Sequence, residues 1–306
     1  MLRRLEWTVL RRLDGLLQGD YRTLFRGFGL DLAELREYQY ADDVRYIDWN
    51  VTARLQTPYV RVYHEDREVT AWFLLDLSPS VDFGSNVKKR TTSSDFVTLL
   101  ARLLTRHGNR VGAMFYGAEV DTVVPARRGR RHVLHLLHKL LSRPEATNAQ
   151  ATDLGAFLRA AARFIPRRSL VFVVSDFIST PGWEKSLAHL TQRHETIAVR
   201  LYDPLEMDLP DLGMIVMRDA ETGEQLFVDT HHRGFRRRFA ALARAREKQL
   251  LSAFQQAGVD TLELCTGDDL ADAVLRFADL RKRRSQLSNG GGLPAHLRGS
   301  YDVSLA

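Results

Sequence analysis

The sequence predicts an α/β protein built on a mainly parallel sheet with helices on both faces. Three observations carry this. Ala71–Leu75 and Val171–Ser175 are almost continuous apolar runs, the pattern of strands buried on both faces. Between such runs lie stretches with apolar residues at helical spacing, such as Phe96, Leu99, Leu100, Leu103 and Leu104. The two patterns alternate along the chain, as in a parallel sheet with helical crossovers.

The bulk numbers fit an ordinary globular chain. Of 306 residues, 44% are hydrophobic and 27% charged, enough to bury a sizeable core. The one cysteine, Cys265, excludes an internal disulfide and a thiolate metal cluster, and suits a reducing compartment. Arg3, Arg4, Glu6, Arg11, Arg12 and Asp14 interrupt Met1–Gln18, so a signal peptide is not expected there. No stretch approaches the roughly 18 apolar residues of a membrane span. These features point to the cytoplasm. The net charge of +6 is concentrated in Arg127–Arg131, Arg233–Arg238 and Arg281–Arg284, which suit acidic protein surfaces, nucleic acid or plain solvated faces.

In order, residues 1–20 read as a helix with leucines near helical spacing. It suits packing on its own domain or a partner, with peripheral membrane contact as the alternative. Tyr21–Leu30 reads as irregular. Leu35–Trp49 alternates charges with large aromatics. Its rings are expected to pack on the domain, and Arg36, Arg45 and Arg54 to pair with Asp42, Asp43 or Asp48. Tyr59–Glu65 is a strand, continuous through a turn with the central strand Val69–Asp76. A helix follows at Ser93–His107, stopped by Gly108-Asn109. Val111–Tyr116 and Glu119–Val124 are strands, Pro125–Arg131 a basic loop, and His132–Leu141 a helix with Val133, Leu136, Leu137, Leu140 and Leu141 inward. His132, His135 and His138 read as helix-flank histidines.

Ser142–Ala151 is a polar loop, and a helix then starts at Thr152-Asp153. Leu170–Ser175 is a strand, Trp183–His194 a helix and Thr196–Leu201 a strand. Gly213–Asp219 and Glu224–Asp229 form a β-hairpin insertion. His231–Ala257 is a long basic helix ended by Gly258, Val259–Cys265 a last strand, and Asp268–Arg284 a last helix. The organisation is an N-terminal helical and irregular extension (1–68) packed on a main domain (69–284), with a flexible tail (285–306).

The functional signal lies at two strand ends. Asp76 closes one apolar strand and is followed by Ser78 and Ser80; Asp176 closes another. In a parallel sheet both ends share one edge, where ligands of open α/β sheets bind. Carboxylates with alternate hydroxyls suit a hard divalent cation. Thr152 heads a helix near that edge, although a threonine there also serves as an N-cap.

Asp76-x-Ser78-x-Ser80, Thr152 and Asp176 resemble the metal-ion-dependent adhesion site of von Willebrand factor A domains. The match is closer to the bacterial domain-of-unknown-function 58 family. It rests on Leu35-Arg36-Glu37-Tyr38 with Asp42–Trp49, Asn109-Arg110-Val111-Gly112, Arg128-Gly129-Arg130-Arg131-His132 and Ser175-Asp176-Phe177. The family pattern has glycines before the threonine, where this chain has Gln150-Ala151. Thr147-Asn148 is a rival pair, but Thr152-Asp153-Leu154-Gly155 runs directly into a helix.

The resemblance implies a doubly wound, Rossmann-type sheet of the von Willebrand factor A kind with Mg²⁺ or Mn²⁺ at its top. Asp76, Ser78, Ser80 and Thr152 would ligate directly or through water, and Asp176 through water. One position would stay open for a partner's acidic side chain. The implied role is a metal-dependent protein-binding adaptor or co-chaperone, not an enzyme, working with a MoxR-type AAA+ ATPase in protein assembly, maturation or stress tolerance.

Two other classes compete with this reading. A phosphatase of the haloacid-dehalogenase kind needs a second aspartate two residues after the nucleophile, where this chain has Ser78; P-loop Gly-x-x-x-x-Gly-Lys, His-Glu-x-x-His and Gly-x-Ser-x-Gly motifs are absent. A nucleic-acid binder would use the arginine clusters, but the Arg127–Arg131 loop carries none of the interleaved aromatics that stack bases.

Overall fold

Alternate residues of the central strands face opposite layers of helices, so both faces of the sheet are covered. The structure is a computed structural model that describes residues 34–39, 44, 47, 49–62, 69–117, 119–144, 152–218 and 224–288. Its elements are β1 (Glu34–Glu37), α1 (Trp49–Leu55), β2 (Tyr59–Val62), β3 (Thr70–Asp76), α2 (Lys89–Arg106), β4 (Arg110–Tyr116), β5 (Val120–Arg127), α3 (Arg130–Leu141), α4 (Leu154–Phe164), β6 (Leu170–Ser175), α5 (Trp183–Arg193), β7 (Glu195–Tyr202), β8 (Met214–Arg218), β9 (Gln225–Asp229), α6 (Arg233–Ala257), β10 (Asp260–Cys265) and α7 (Leu270–Ser288). Short 3₁₀ turns cover Pro79–Asp82 and Pro204–Glu206.

Six strands form one sheet in the order β10-β7-β6-β3-β4-β5, parallel except for the β4–β5 pair. The chain adds strands on one side of β3, then crosses and adds the rest on the other. This is the doubly wound order, and its reversal lies between β3 and β6. Phe73, Leu75, Phe115, Phe172 and Val174 pack with α2, α3 and α7. Trp72, Leu74, Met114, Val171 and Val173 pack with α4, α5 and α6. Phe73 stacks on Phe172 at 5.1 Å, with Phe96 of α2 edge-on to both. Fully burying a side chain of this size contributes about 1.5–3 kcal/mol.

Arg200 of β7 pairs with Glu247 of α6 and Glu263 of β10, and Arg281 of α7 pairs with Glu195 and Asp260. The first member of the third basic cluster therefore anchors a helix. α6 stops where Gly258 adopts the left-handed conformation, φ 63°.

Several boundaries differ from the sequence reading, for identifiable reasons. α2 begins at Lys89, before the apolar stripe that marks its body. β5 runs through Pro125 to Arg127, because an antiparallel edge strand with register shifts tolerates proline. α3 starts at Arg130 behind Gly129, so part of the expected basic loop is helical. Leu141, at the frayed end of α3, is 63% exposed rather than inward. α7 continues past Arg284 to Ser288.

In the N-terminal extension, β1 and β2 form an antiparallel pair of their own. Among the described residues β2 does not join the main sheet. Trp49 opens the short helix α1 and is 69% exposed, not packed inward. The expected helix at 1–20, the irregular stretch 21–30, Arg45 with Asp42, Asp43 and Asp48, and residues 289–306 of the tail lie outside the described residues.

β8 and β9 pair as a separate hairpin between β7 and α6, as expected. Val228 on one face is buried, while Met214, Val216 and Phe227 on the other are 71%, 50% and 75% exposed. Among the described residues no helix is long and apolar enough to cross a membrane.

Gly112 of β4 is required by close approach. A Cβ there would sit 2.8 Å from the Trp72 ring and 2.9 Å from the Ala126 backbone nitrogen. Gly112→Ala should lower the unfolding free energy by about 1–3 kcal/mol through overpacking. Urea denaturation followed by tryptophan fluorescence measures this; an unchanged midpoint would contradict the packing account.

Candidate metal centre

β3 delivers Asp76 fully buried at its carboxyl end, and Leu77 N keeps the chain tied to β4 by donating to Tyr116 O at 2.7 Å. The chain then turns tightly. Ser78 N donates to Asp76 Oδ1 at 3.0 Å, and Ser80 lies in the 3₁₀ turn that follows. Both serines are buried, and their hydroxyl oxygens stand 3.1 Å apart. Neighbouring oxygens around an octahedral Mg²⁺ are separated by about 3.0 Å, given metal–oxygen distances of about 2.1 Å. The donors are all oxygen, and the separation of the two serine hydroxyls suits such an ion.

Asp176 follows β6, the neighbour of β3, with Leu75 and Val174 in register. The two aspartates thus share one sheet edge, as the sequence reading expected, and flank the point where the strand order reverses. Asp76 Oδ2 accepts from Ser175 Oγ at 2.6 Å. Asp176 Oδ1 accepts from Ile178 N at 3.0 Å. Between them Phe177 adopts a left-handed backbone, φ 58°, a strain of about 1–2 kcal/mol for a residue with a side chain. Its ring is held by Trp183 at 5.2 Å and Phe254 at 4.8 Å, and its N–H donates to Ser175 Oγ at 2.9 Å.

Thr152 is 1% exposed. Capping does not account for it, because the N-cap of α4 is Asp153, which accepts from Ala156 N at 2.8 Å. Thr152 O accepts from Thr180 N at 2.9 Å and Ser179 Oγ at 2.7 Å, in the loop after Asp176. Asp153 N donates to the hydroxyl of Tyr116 at the end of β4. With β3 lying between β4 and β6, these bonds hold the Thr152 segment at the sheet edge that carries Asp76. The rival Thr147 lies outside the described residues.

One residue escaped the sequence reading. Lys89, in the first turn of α2, is fully buried; its Nζ is 2.7 Å from Asp176 Oδ2 and 2.6 Å from Glu206 Oε1. The polar run Lys88–Ser94 hid it, since periodicity points only to the apolar stripe that follows. Behind it Asp203, at the end of β7, accepts from Ser85 N and Oγ, Thr266 Oγ and Leu205 N, which knits three loops together.

Burial pushes the Asp76 carboxyl up to about 6, with the Asp176 charge adding to it and hydrogen bonds from Ser175 and Ser78 opposing it. For Lys89, burial works against the charge, but Asp176 and Glu206 outweigh it and hold the ammonium above the usual lysine range.

No group of three or more His, Cys, Asp or Glu among the described residues could hold a metal. The candidate centre is different in kind, with two carboxylates and hydroxyls. His132 packs its ring nitrogen against Val111 O at 2.8 Å, in line with a structural role.

A family model described as "Protein of unknown function DUF58" matches residues 34–249. Uncharacterized proteins of Mycobacterium tuberculosis and Mycobacterium bovis are each 36% identical over 285 residues, 92% of this chain and 89% of theirs. Among solved structures, BatB from Bacteroides thetaiotaomicron is similar with a TM-score of 0.46 and 15% identity, covering 70% of this chain and 99% of that one. The von Willebrand factor A domain of SpRpn10 is similar at 0.35 and 13%, covering 68% and 94%.

Because Asp76 binds its proton more tightly when folded, the folded chain holds more protons than the unfolded one between pH 3.8 and about 6. Asp76 therefore lowers the stability of the metal-free protein as pH rises through that window, and adds no slope above it. Asp76→Asn should remove this contribution. Urea midpoints of the two proteins, compared across the window in chelator, measure it; parallel profiles would refute the assignment.

Proposed function

Because this chain belongs to the DUF58 family, we propose that it is a metal-dependent protein-binding adaptor or co-chaperone rather than an enzyme. The observation that carries the reading is the buried Ser78–Ser80 hydroxyl pair beside Asp76, at the point where the strand order reverses. Asp76, Ser78, Ser80 and Thr152 would hold Mg²⁺ or Mn²⁺, with Asp176 acting through water. When bound, the ion supplies a positive centre for a partner's Asp or Glu. This chain's residues fix the hydroxyls, exclude bulk water and leave the ion short of carboxylates. The residue two positions after Asp76 is Ser78, which cannot serve as the general acid of an aspartyl phosphatase.

The exposed apolar face formed by Met214, Val216 and Phe227 supports a role in docking another protein, since contiguous apolar surface of this kind marks interaction sites. The resemblance set out above suggests a MoxR-type AAA+ ATPase as that partner, with assembly, maturation or stress tolerance as the process.

Mn²⁺ titration followed by electron paramagnetic resonance should give one tight site. Asp76→Ala should abolish it, and Thr152→Ala should weaken it by about tenfold, with circular dichroism unchanged. Protons compete for Asp76, so affinity should fall by about tenfold per pH unit below about 6 and level off above. Affinity purification with Mg²⁺ or with EDTA, read by mass spectrometry, tests the role. Recovery of the same partners by Asp76→Ala in EDTA would sink the metal-bridge reading.

A further inference from the structure

Lys89 links the two carboxylates of the candidate centre to a third: it pairs with Asp176, whose charge acts on Asp76, and with Glu206. The Lys89 side chain is fully buried, that of Asp176 is 2% exposed and that of Glu206 is 25% exposed. With all four groups ionised the cluster carries two uncompensated negative charges, the charge of one divalent ion. Both Asp176 oxygens already have donors, Oδ1 from Ile178 N and Oδ2 from Lys89 Nζ. Lys89 is also locked from behind. Its backbone N–H donates to Phe83 O at 2.9 Å, and the Phe83 ring lies 5.9 Å from Nζ. Glu206 is fixed as well, since its Oε2 accepts from Asp203 N at 3.0 Å.

We propose that Lys89 is a positioning residue for the metal centre: its ammonium keeps Asp176 off the ion and preserves the ion's positive charge for an incoming carboxylate. This rests on the metal reading above. A divalent ion beside two free carboxylates would draw Asp176 into direct coordination and have its charge largely cancelled. A fixed ammonium on Asp176 prevents that. It weakens the protein's own grip on the metal and strengthens the metal's grip on an outside acid. Glu206 does the opposite: its negative charge offsets part of the ammonium, so metal affinity is a balance between the two.

The test uses the full chain, Mn²⁺ as metal and acetate as carboxylate probe. Mn²⁺ affinity is read by electron paramagnetic resonance, and acetate binding to the Mn²⁺ form by water-proton relaxation. Lys89→Met should bind Mn²⁺ at least about tenfold more tightly, yet bind acetate at least about threefold more weakly. Glu206→Gln should shift Mn²⁺ affinity the other way, by about threefold or more. If the unaltered protein binds no Mn²⁺, the metal reading falls and this inference with it. If it binds Mn²⁺ and folded Lys89→Met binds no more tightly, or keeps its acetate affinity, only this inference falls. Should Lys89→Met fail to fold, Glu206→Gln decides: unchanged or tighter Mn²⁺ binding overturns the proposal.

Discussion

Two buried carboxylates at the ends of neighbouring strands repel each other, and the upper edge of the sheet is arranged around that repulsion. Low polarity makes each charge costly and each charge–charge contact strong. Ser175 and Ser78 donate to Asp76, Ile178 N donates to Asp176, and Lys89 supplies a whole positive charge. Removing either strand-end carboxylate would simplify the packing. Keeping both leaves more negative charge at this edge than Lys89 alone balances.

The surrounding structure holds this arrangement rigid. The backbone strain at Phe177 is offset by an aromatic cluster with Trp183 and Phe254, which fixes the direction in which the chain leaves Asp176. Asp203 ties the loop before α2 to the ends of β7 and β10, so the turn that carries Lys89 cannot shift independently of Glu206. On the other side, Ser179 and Thr180 bind the Thr152 segment to the loop after Asp176. Ser175, Ile178 N and Phe83 O thus support Asp76, Asp176 and Lys89 without taking part in the proposed chemistry.

Much of this was legible in the sequence where one physical signal dominates. Continuous apolar runs located β3 and β6, and strict helical spacing located the body of α2 and most of α3. The strand-end aspartates and the Ser-x-Ser step were readable because strand geometry fixes which end faces the ligand edge. Lys89 was not readable, because a lysine in a polar first turn looks solvated until the fold brings Asp176 and Glu206 to it. The cap of α4 fell on Asp153 rather than Thr152, since both residues cap well and only the backbone decides. Pro125 suggested a loop, although an edge strand with shifted register accommodates it. Trp49 suggested a buried ring by its chemistry alone, and its neighbours left it exposed.

The hydrogen bond between Ser175 and Asp76 joins residues 99 apart in the chain, and those of Lys89 with Asp176 and Glu206 span 87 and 117. No local segment assembles this edge. Closing such long loops costs entropy before any contact returns it, so the edge is expected to form after the parallel strands have found their order. Contacts absent from the folding transition state act on the rate of unfolding and leave the rate of folding nearly unchanged. An occupant of this edge would therefore meet a sheet that has already closed, and would act as a lock on the finished molecule rather than as a seed for its folding.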